Sequence, residues 1–200
     1  MKKLISILFY ALVIWITITV TGLAMMPKRY LLPSSLQIVD DSRKVMLSQV
    51  GTKEATGRND GVQIEKYLGS VKIYVPAPYC AAFVYFCFAE VACDITQIPI
   101  PRTAVANNIY NYARKKGVLA NYAPAIDDLI TWKYSNSWSG HIERIYEIHK
   151  AGWVLTVGAN TSNGKTGSQR EGNGVFIRRR NIYHPVGRMF VRGLVGWKYE

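Results

Sequence analysis

Cysteine, histidine and acid are all scarce in this chain. Its three cysteines, Cys80, Cys87 and Cys93, are an odd number. That count excludes a fully stapled disulfide scaffold and leaves at least one thiol free even in an oxidising compartment. None stands at a metal-type spacing from another cysteine or from one of the three histidines, so neither a metal nor any other cofactor is indicated. Acidic residues number 13 against 25 basic ones, a net charge of +12, or +10 without Lys2 and Lys3. A field of that sign suits an anionic cell-wall polymer or lipid surface. No nucleic-acid motif accompanies it, so nucleic acid is not an expected partner. Internal repeats and low-complexity tracts are absent, and 49% hydrophobic with 19% charged residues argues against long disorder. A chain of 200 residues suits one domain with a short N-terminal extension, expected as a monomer.

The extension is the one long apolar run. Leu4 to Met26 carries no charge and follows Lys2 and Lys3, the layout of an export signal or an N-terminal membrane anchor. Small residues in Gly22-Leu23-Ala24 fit a signal-peptidase site, while 23 uncharged residues are also enough to span a bilayer; both readings stay open. Either one takes the chain out of the cytoplasm, secreted or held at the inner membrane through residues 4–26. The organisation read from sequence is residues 1–26 as signal or anchor, 27–39 as a linker carrying Pro27 and Pro33, and 40–200 as the folded domain.

Within the domain, Ser34-Ser35 caps a helix that starts at about Leu36 or Asp40 and runs to Val50, stopped by Gly51. A polar loop over 51–60 leads to a short helix through Val62, Ile64, Tyr67 and Leu68. Cys80 opens a third helix whose Phe83, Val84, Phe86, Cys87 and Val91 make it apolar almost all round, as expected of a central buried helix. Thr103 to Lys116 reads as a fourth helix closed by Gly117. Beyond Pro124 the pattern turns β-branched and alternating: Leu129 to Lys133, His141 to His149, Trp153 to Val157, Gly174 to Arg180 and Arg188 to Leu194. Helices first and meander strands afterwards predict an α+β fold, with the Cys80 helix packed on an antiparallel sheet and its N-terminus beside the first long strand.

That layout carries chemistry. A cysteine just past the Pro78-Tyr79 break, at a helix N-terminus, has its thiolate stabilised there, and a strand histidine about sixty positions on, His141, folds back to serve as its base. Cys87, two turns along the same helix, reads as a small buried hydrophobe, and Cys93 as its pairing partner or a buried thiol. Alone, a cysteine opening an apolar helix is more often structural, and a lone strand histidine more often a plain polar residue. The order and context of the two together favour a catalytic pair.

From Asp40 to Trp197 the chain resembles the CHAP family, the cysteine and histidine dependent amidohydrolases and peptidases of the papain-like NlpC-type superfamily. The likeness rests on Tyr79-Cys80-Ala81-Ala82-Phe83-Val84-Tyr85-Phe86-Cys87, Asp128-Leu129-Ile130-Thr131-Trp132, Gly140-His141-Ile142 and Thr156-Val157-Gly158-Ala159-Asn160-Thr161-Ser162, with Gly57-Arg58-Asn59-Asp60-Gly61 upstream. It implies a papain-like fold, Cys80 as nucleophile, His141 as base and Asn160 as the polar residue that orients the histidine. It also implies Tyr79 near the substrate. The chain departs from the family pattern at Gly158, where relatives often carry glutamate, and at Glu143, where they commonly carry a small residue. Alternation places Glu143 on the His141 face of its strand, either bonded to that ring or, the reading preferred on sequence, solvated at the cleft edge.

Trp132, Trp138 and Trp153 fit a sugar-stacking rim or the core equally well; Trp138 is assigned to substrate binding with Tyr79 and Asn59. Arg178-Arg179-Arg180 reads as a solvated strand end, with contact to wall polymer as the lesser alternative, and His149 and His184 as surface residues. The function expected is an exported peptidoglycan hydrolase that cuts an amide, either between amino sugar and stem peptide or inside the peptide. The alternatives are a membrane-tethered wall-binding domain that has lost catalysis, motivated by Gly158, and a cysteine amidase or peptidase acting on protein or a small amide.

Overall fold

The computed structural model describes Tyr10 and residues 26–120, 123–164 and 172–200. The expected signal or anchor therefore lies outside the described residues, apart from Tyr10 and Met26. Among the described residues no helix is long and apolar enough to cross a membrane.

The fold is α+β. Strands β1 (Arg29–Ser34), β2 (Val118–Ala120), β3 (Leu129–Lys133), β4 (Gly140–Ile148), β5 (Trp153–Thr161), β6 (Gly174–Asn181) and β7 (Phe190–Tyr199) form one sheet in the order β2-β1-β7-β3-β4-β5-β6. Helices α1 (Leu36–Ser48), α2 (Val62–Ser70), α3 (Cys80–Ala89) and α4 (Ala106–Lys116) pack on it. The sheet is mixed rather than antiparallel as expected, because β1 runs parallel to β7, with Arg29 opposite Leu194 and Ser34 opposite Tyr199.

The stretch expected as a linker is thus a strand and the start of a helix. Pro33 suggested a break, yet β2 pairs with β1 only as far as Leu31, so one edge of β1 at Pro33 is free and needs no N–H there. Helix α1 begins at Leu36, where the Ser35 hydroxyl accepts the Ile38 N–H at 3.2 Å, and buries Val39, Ser42 and Met46 on one face.

Alternation along the strands divides the core in two. Leu129, Ile142, Val157 and Val195 meet the helices, where α3 is buried from Cys80 through Phe88. Their neighbours Ile130, Trp132, Ile145 and Leu194 face the other way and pack with Ile182 and Met189 from the β6–β7 connection. His141 and Glu143 lie opposite Trp132 and Ile130, and so belong to this second face.

Candidate active site

Cys80 is the first residue of α3 and only 4% exposed. Pro78 and Tyr79 bring the chain in without a side-chain cap, so the first amides of α3 have no such partner among the described residues. The cysteine sits in a cleft of about 620 Å³ lined by Asn59 and Pro78, by Tyr134 to Ser137 with Ser139 and Gly140, and by Asn160, Thr161 and Arg180.

His141, 7% exposed, enters this cleft from the start of β4, where Cys80 is among the groups that favour its charged form. Gly140 permits that entry. A Cβ at Gly140 would stand 2.1 Å from the Trp132 carbonyl oxygen and 2.6 Å from Asn107 Nδ2, so any larger residue would push β4 away from β3. The imidazole lies near the Trp132 ring, centroids 5.9 Å apart.

The other side of the ring is held by a carboxylate. His141 Nε2 is 2.9 Å from Glu143 Oε1, which leaves Nδ1 for the sulfur. Glu143 is fully buried, contrary to the solvated reading. Arg180 donates from Nε to Oε2 at 2.9 Å and from Nη2 to Oε1 at 2.5 Å, and the Thr156 hydroxyl lies 2.5 Å from Oε2. The arginine run is therefore no uniform solvated end. Arg180 is buried against Glu143, Arg179 turns outward over Trp153 at 4.4 Å, and Arg178 is half-buried.

Space for this carboxylate comes from Gly158. The β4–β5 register sets Arg144 opposite Val157, and hence Glu143 beside Gly158. A Cβ on Gly158 would stand 2.5 Å from Glu143 Cγ.

Charge follows the geometry. Burial opposes the charged form of His141, but the Cys80 and Glu143 side chains outweigh it and lift the imidazole to about 9. Burial likewise pushes Glu143 up, yet Arg180 and then His141 hold its carboxyl well below the usual carboxylate range. Among the described residues no group of His, Cys, Asp and Glu is arranged to hold a metal ion.

The remaining sequence-selected residues divide. Asn160, at φ 53, lines the cleft, but the contact to His141 Nε2 is made by Glu143 and not by Asn160. Tyr79 is fully buried and lines no part of the cleft; its ring stacks on Tyr67 at 6.1 Å and its hydroxyl donates to Glu54 Oε1 at 3.0 Å. Glu54, which sequence reasoning missed, also accepts the Asn59 N–H on Oε2 at 2.9 Å, fixing Asn59 in its positive-φ turn at the cleft wall. Trp138 is 74% exposed between the lining residues Ser137 and Ser139, and its carbonyl accepts from Asn107 Nδ2 at 2.9 Å.

Cys87 is buried, with its thiol pushed up by that burial. Cys93 is exposed and unpaired, neither bonded to Cys87 nor buried. His149 and His184 are exposed, the one 3.2 Å from Glu147 and the other edge-on to Trp153.

A buried thiol sharing a cleft with an imidazole that is itself backed by an ionised carboxylate is equipped for nucleophilic attack on a carbonyl and proton return to a leaving group. No curated protein and no solved structure matches the chain. Residues 72–160 do match a family model, that of the CHAP domain, a class generally of amidase and peptidase hydrolases of peptidoglycan. The segment that runs from just before α3 through Cys80 and His141 to Asn160 is similar to a CHAP domain.

Proposed function

We propose that this protein is an exported cysteine hydrolase that cleaves an amide of peptidoglycan, with Cys80 as nucleophile and His141 as general base and acid. The observation that carries the reading is that Cys80 and His141 line the same cleft, the cysteine among the groups that favour the charged imidazole, with Nε2 of that ring on Glu143.

In this mechanism His141 takes the proton from Cys80, and the sulfur attacks the amide carbonyl carbon. The oxygen of the resulting tetrahedral adduct is met by the amides that open α3. The imidazolium protonates the departing nitrogen as the C–N bond breaks, leaving a thioester on Cys80. His141 then takes a proton from water, the oxygen attacks the thioester carbon, and the C–S bond breaks. The proton returns to sulfur and the product leaves as a carboxylic acid. Glu143 orients the ring and stabilises each imidazolium stage. Asn160, Asn59 and Trp138 are proposed to meet the substrate from the cleft wall and its margin.

Residues 4–26 would carry the chain out of the cytoplasm, and its basic charge would favour anionic wall polymer. Gly158 is a weak argument for a non-catalytic binding domain, since Glu143 occupies the space its missing side chain leaves.

Purified peptidoglycan is digested with the full chain in mild detergent, with Cys80→Ala alongside, and released fragments are read by mass spectrometry. Fragments from the wild type alone support the hydrolase and identify the bond, either sugar to stem peptide or within the peptide. If several wall types are bound by both proteins and cut by neither, the enzyme reading falls.

A further inference from the structure

We propose that Arg180 is a positioning residue of the Cys80–His141 centre, acting through Glu143, whose carboxylate its guanidinium fork locks against the imidazole. The proposal rests on the hydrolase reading above for its meaning in catalysis and for its kinetic test, though not for its titration.

Glu143 is fully buried, and an isolated carboxylate in such a place takes up a proton or turns away. Its environment allows neither. Oε1 receives His141 and Arg180 Nη2, and Oε2 receives Arg180 Nε and Thr156. The two-point contact fixes both the position of the carboxylate and the plane in which it meets Nε2, which a single donor would leave free to rotate.

The arginine is held in turn. Its Nη2 lies 3.3 Å from Thr161 Oγ1, and its guanidinium carbon stands 5.9 Å from the Trp132 ring centroid. Trp132, fully buried, also flanks His141, so guanidinium and imidazole share one floor.

Few other charges compete at this centre. α3 contributes Cys80, β4 contributes His141 and β6 contributes Arg180 with Arg178 further off, while β5 offers only the neutral Thr156. Among the described residues, Arg180 is the arginine in direct contact with Glu143, beside the His141 ring. Without it, burial favours the neutral carboxyl, and a neutral carboxyl withdraws the charge that holds His141 in its imidazolium form.

The test is an NMR titration of the His141 ring protons in wild type, Arg180→Met and Arg180→Lys, with Glu143→Gln and Glu143→Gln/Arg180→Met beside them. Thermal melts report folding. Arg180→Met should move the His141 midpoint from about 9 toward the ordinary 6.5 by one unit or more, at least a tenfold change in the protonation equilibrium. Arg180→Lys keeps the charge without the fork and should give a smaller fall; it carries the test if Arg180→Met fails to fold. In the Glu143→Gln background, losing Arg180 should change kcat/KM by less than about twofold, since its effect passes through the missing carboxylate.

An unmoved His141 midpoint in a folded Arg180 variant overturns the proposal. So do losses that multiply in the double variant, or a rise in KM alone, either of which makes Arg180 a direct substrate contact. If His141 responds to Arg180 but the wild type hydrolyses no wall, the positioning role stands and the hydrolase reading falls.

Discussion

Glu143 and Gly158 lie side by side on β4 and β5, and the carboxylate occupies the volume that any side chain at 158 would claim. A methyl group at 158 must displace Glu143 from its contacts with His141 and Arg180. Gly158→Ala should therefore lower stability by about 1–3 kcal/mol and reduce wall hydrolysis. Adding Glu143→Ala should recover much of the stability and none of the activity. Urea unfolding with a parallel digestion assay reads both, and a neutral Gly158→Ala would sink the account of how the carboxylate is housed.

Replacing Glu143 by Gln keeps the shape and removes the charge behind His141. Activity should fall by about tenfold to a hundredfold, and the alkaline limb of kcat/KM should move down from about 9 toward 6.5. Stability carries the same signature. His141 is raised on folding, so its contribution is fully present below about 6.5 and is lost as pH rises through about 9. Denaturation across pH 6 to 10 should show that loss in the wild type, with a smaller one in Glu143→Gln.

The three thiols differ enough in setting to be told apart by labelling. Cys93 is exposed and should alkylate readily under native conditions. Cys87 is buried with its thiol pushed up, and should react only after unfolding. Cys87→Ala should retain hydrolysis, unlike Cys80→Ala. Mass mapping after timed iodoacetamide exposure checks the order, and native labelling of Cys87 would contradict its burial.

Away from the cleft, Asp127 joins α1 to the sheet. Its carboxylate pairs with Arg43 at 2.5 Å and with the almost fully buried Arg144 at 2.8 Å, while Arg144 also donates to Ser42 and to the Val39 carbonyl. Asp127→Ala strands a buried guanidinium and should cost about 3–5 kcal/mol. Chemical denaturation measures it; a cost below about 1 kcal/mol would mean that water or another group replaces the pair.

Local pattern was enough for the four helices, because a cap such as Ser35 and the 3.6-residue spacing of Val39, Ser42 and Met46 are written over a dozen positions. It was enough for β3, whose predicted ends coincide with the observed Leu129–Lys133. It failed at β1, where Pro33 read as a break, since the free edge that tolerates the proline is created by the shortness of β2, some ninety residues later in the chain. It failed also at Tyr79, whose place next to Cys80 suggested the substrate and whose side chain instead turns into the core toward Glu54.

By itself the sequence picked out the proposed nucleophile and base: a cysteine after a proline break at the head of an apolar helix, and a histidine behind glycine on an alternating strand, are local patterns that survive without knowledge of neighbours. Only the tertiary structure decided what stands behind the histidine. Whether Glu143 is solvated or buried, and whether Arg180 faces water or a carboxylate, depends on three strands meeting in one register. Gly158 looked like a loss in one dimension and proved to be room for a side chain from the next strand. A charged residue on a strand carries no local mark of the partner that will neutralise it, and the dielectric and hydrogen bonds that set its role exist only once the sheet has closed around it.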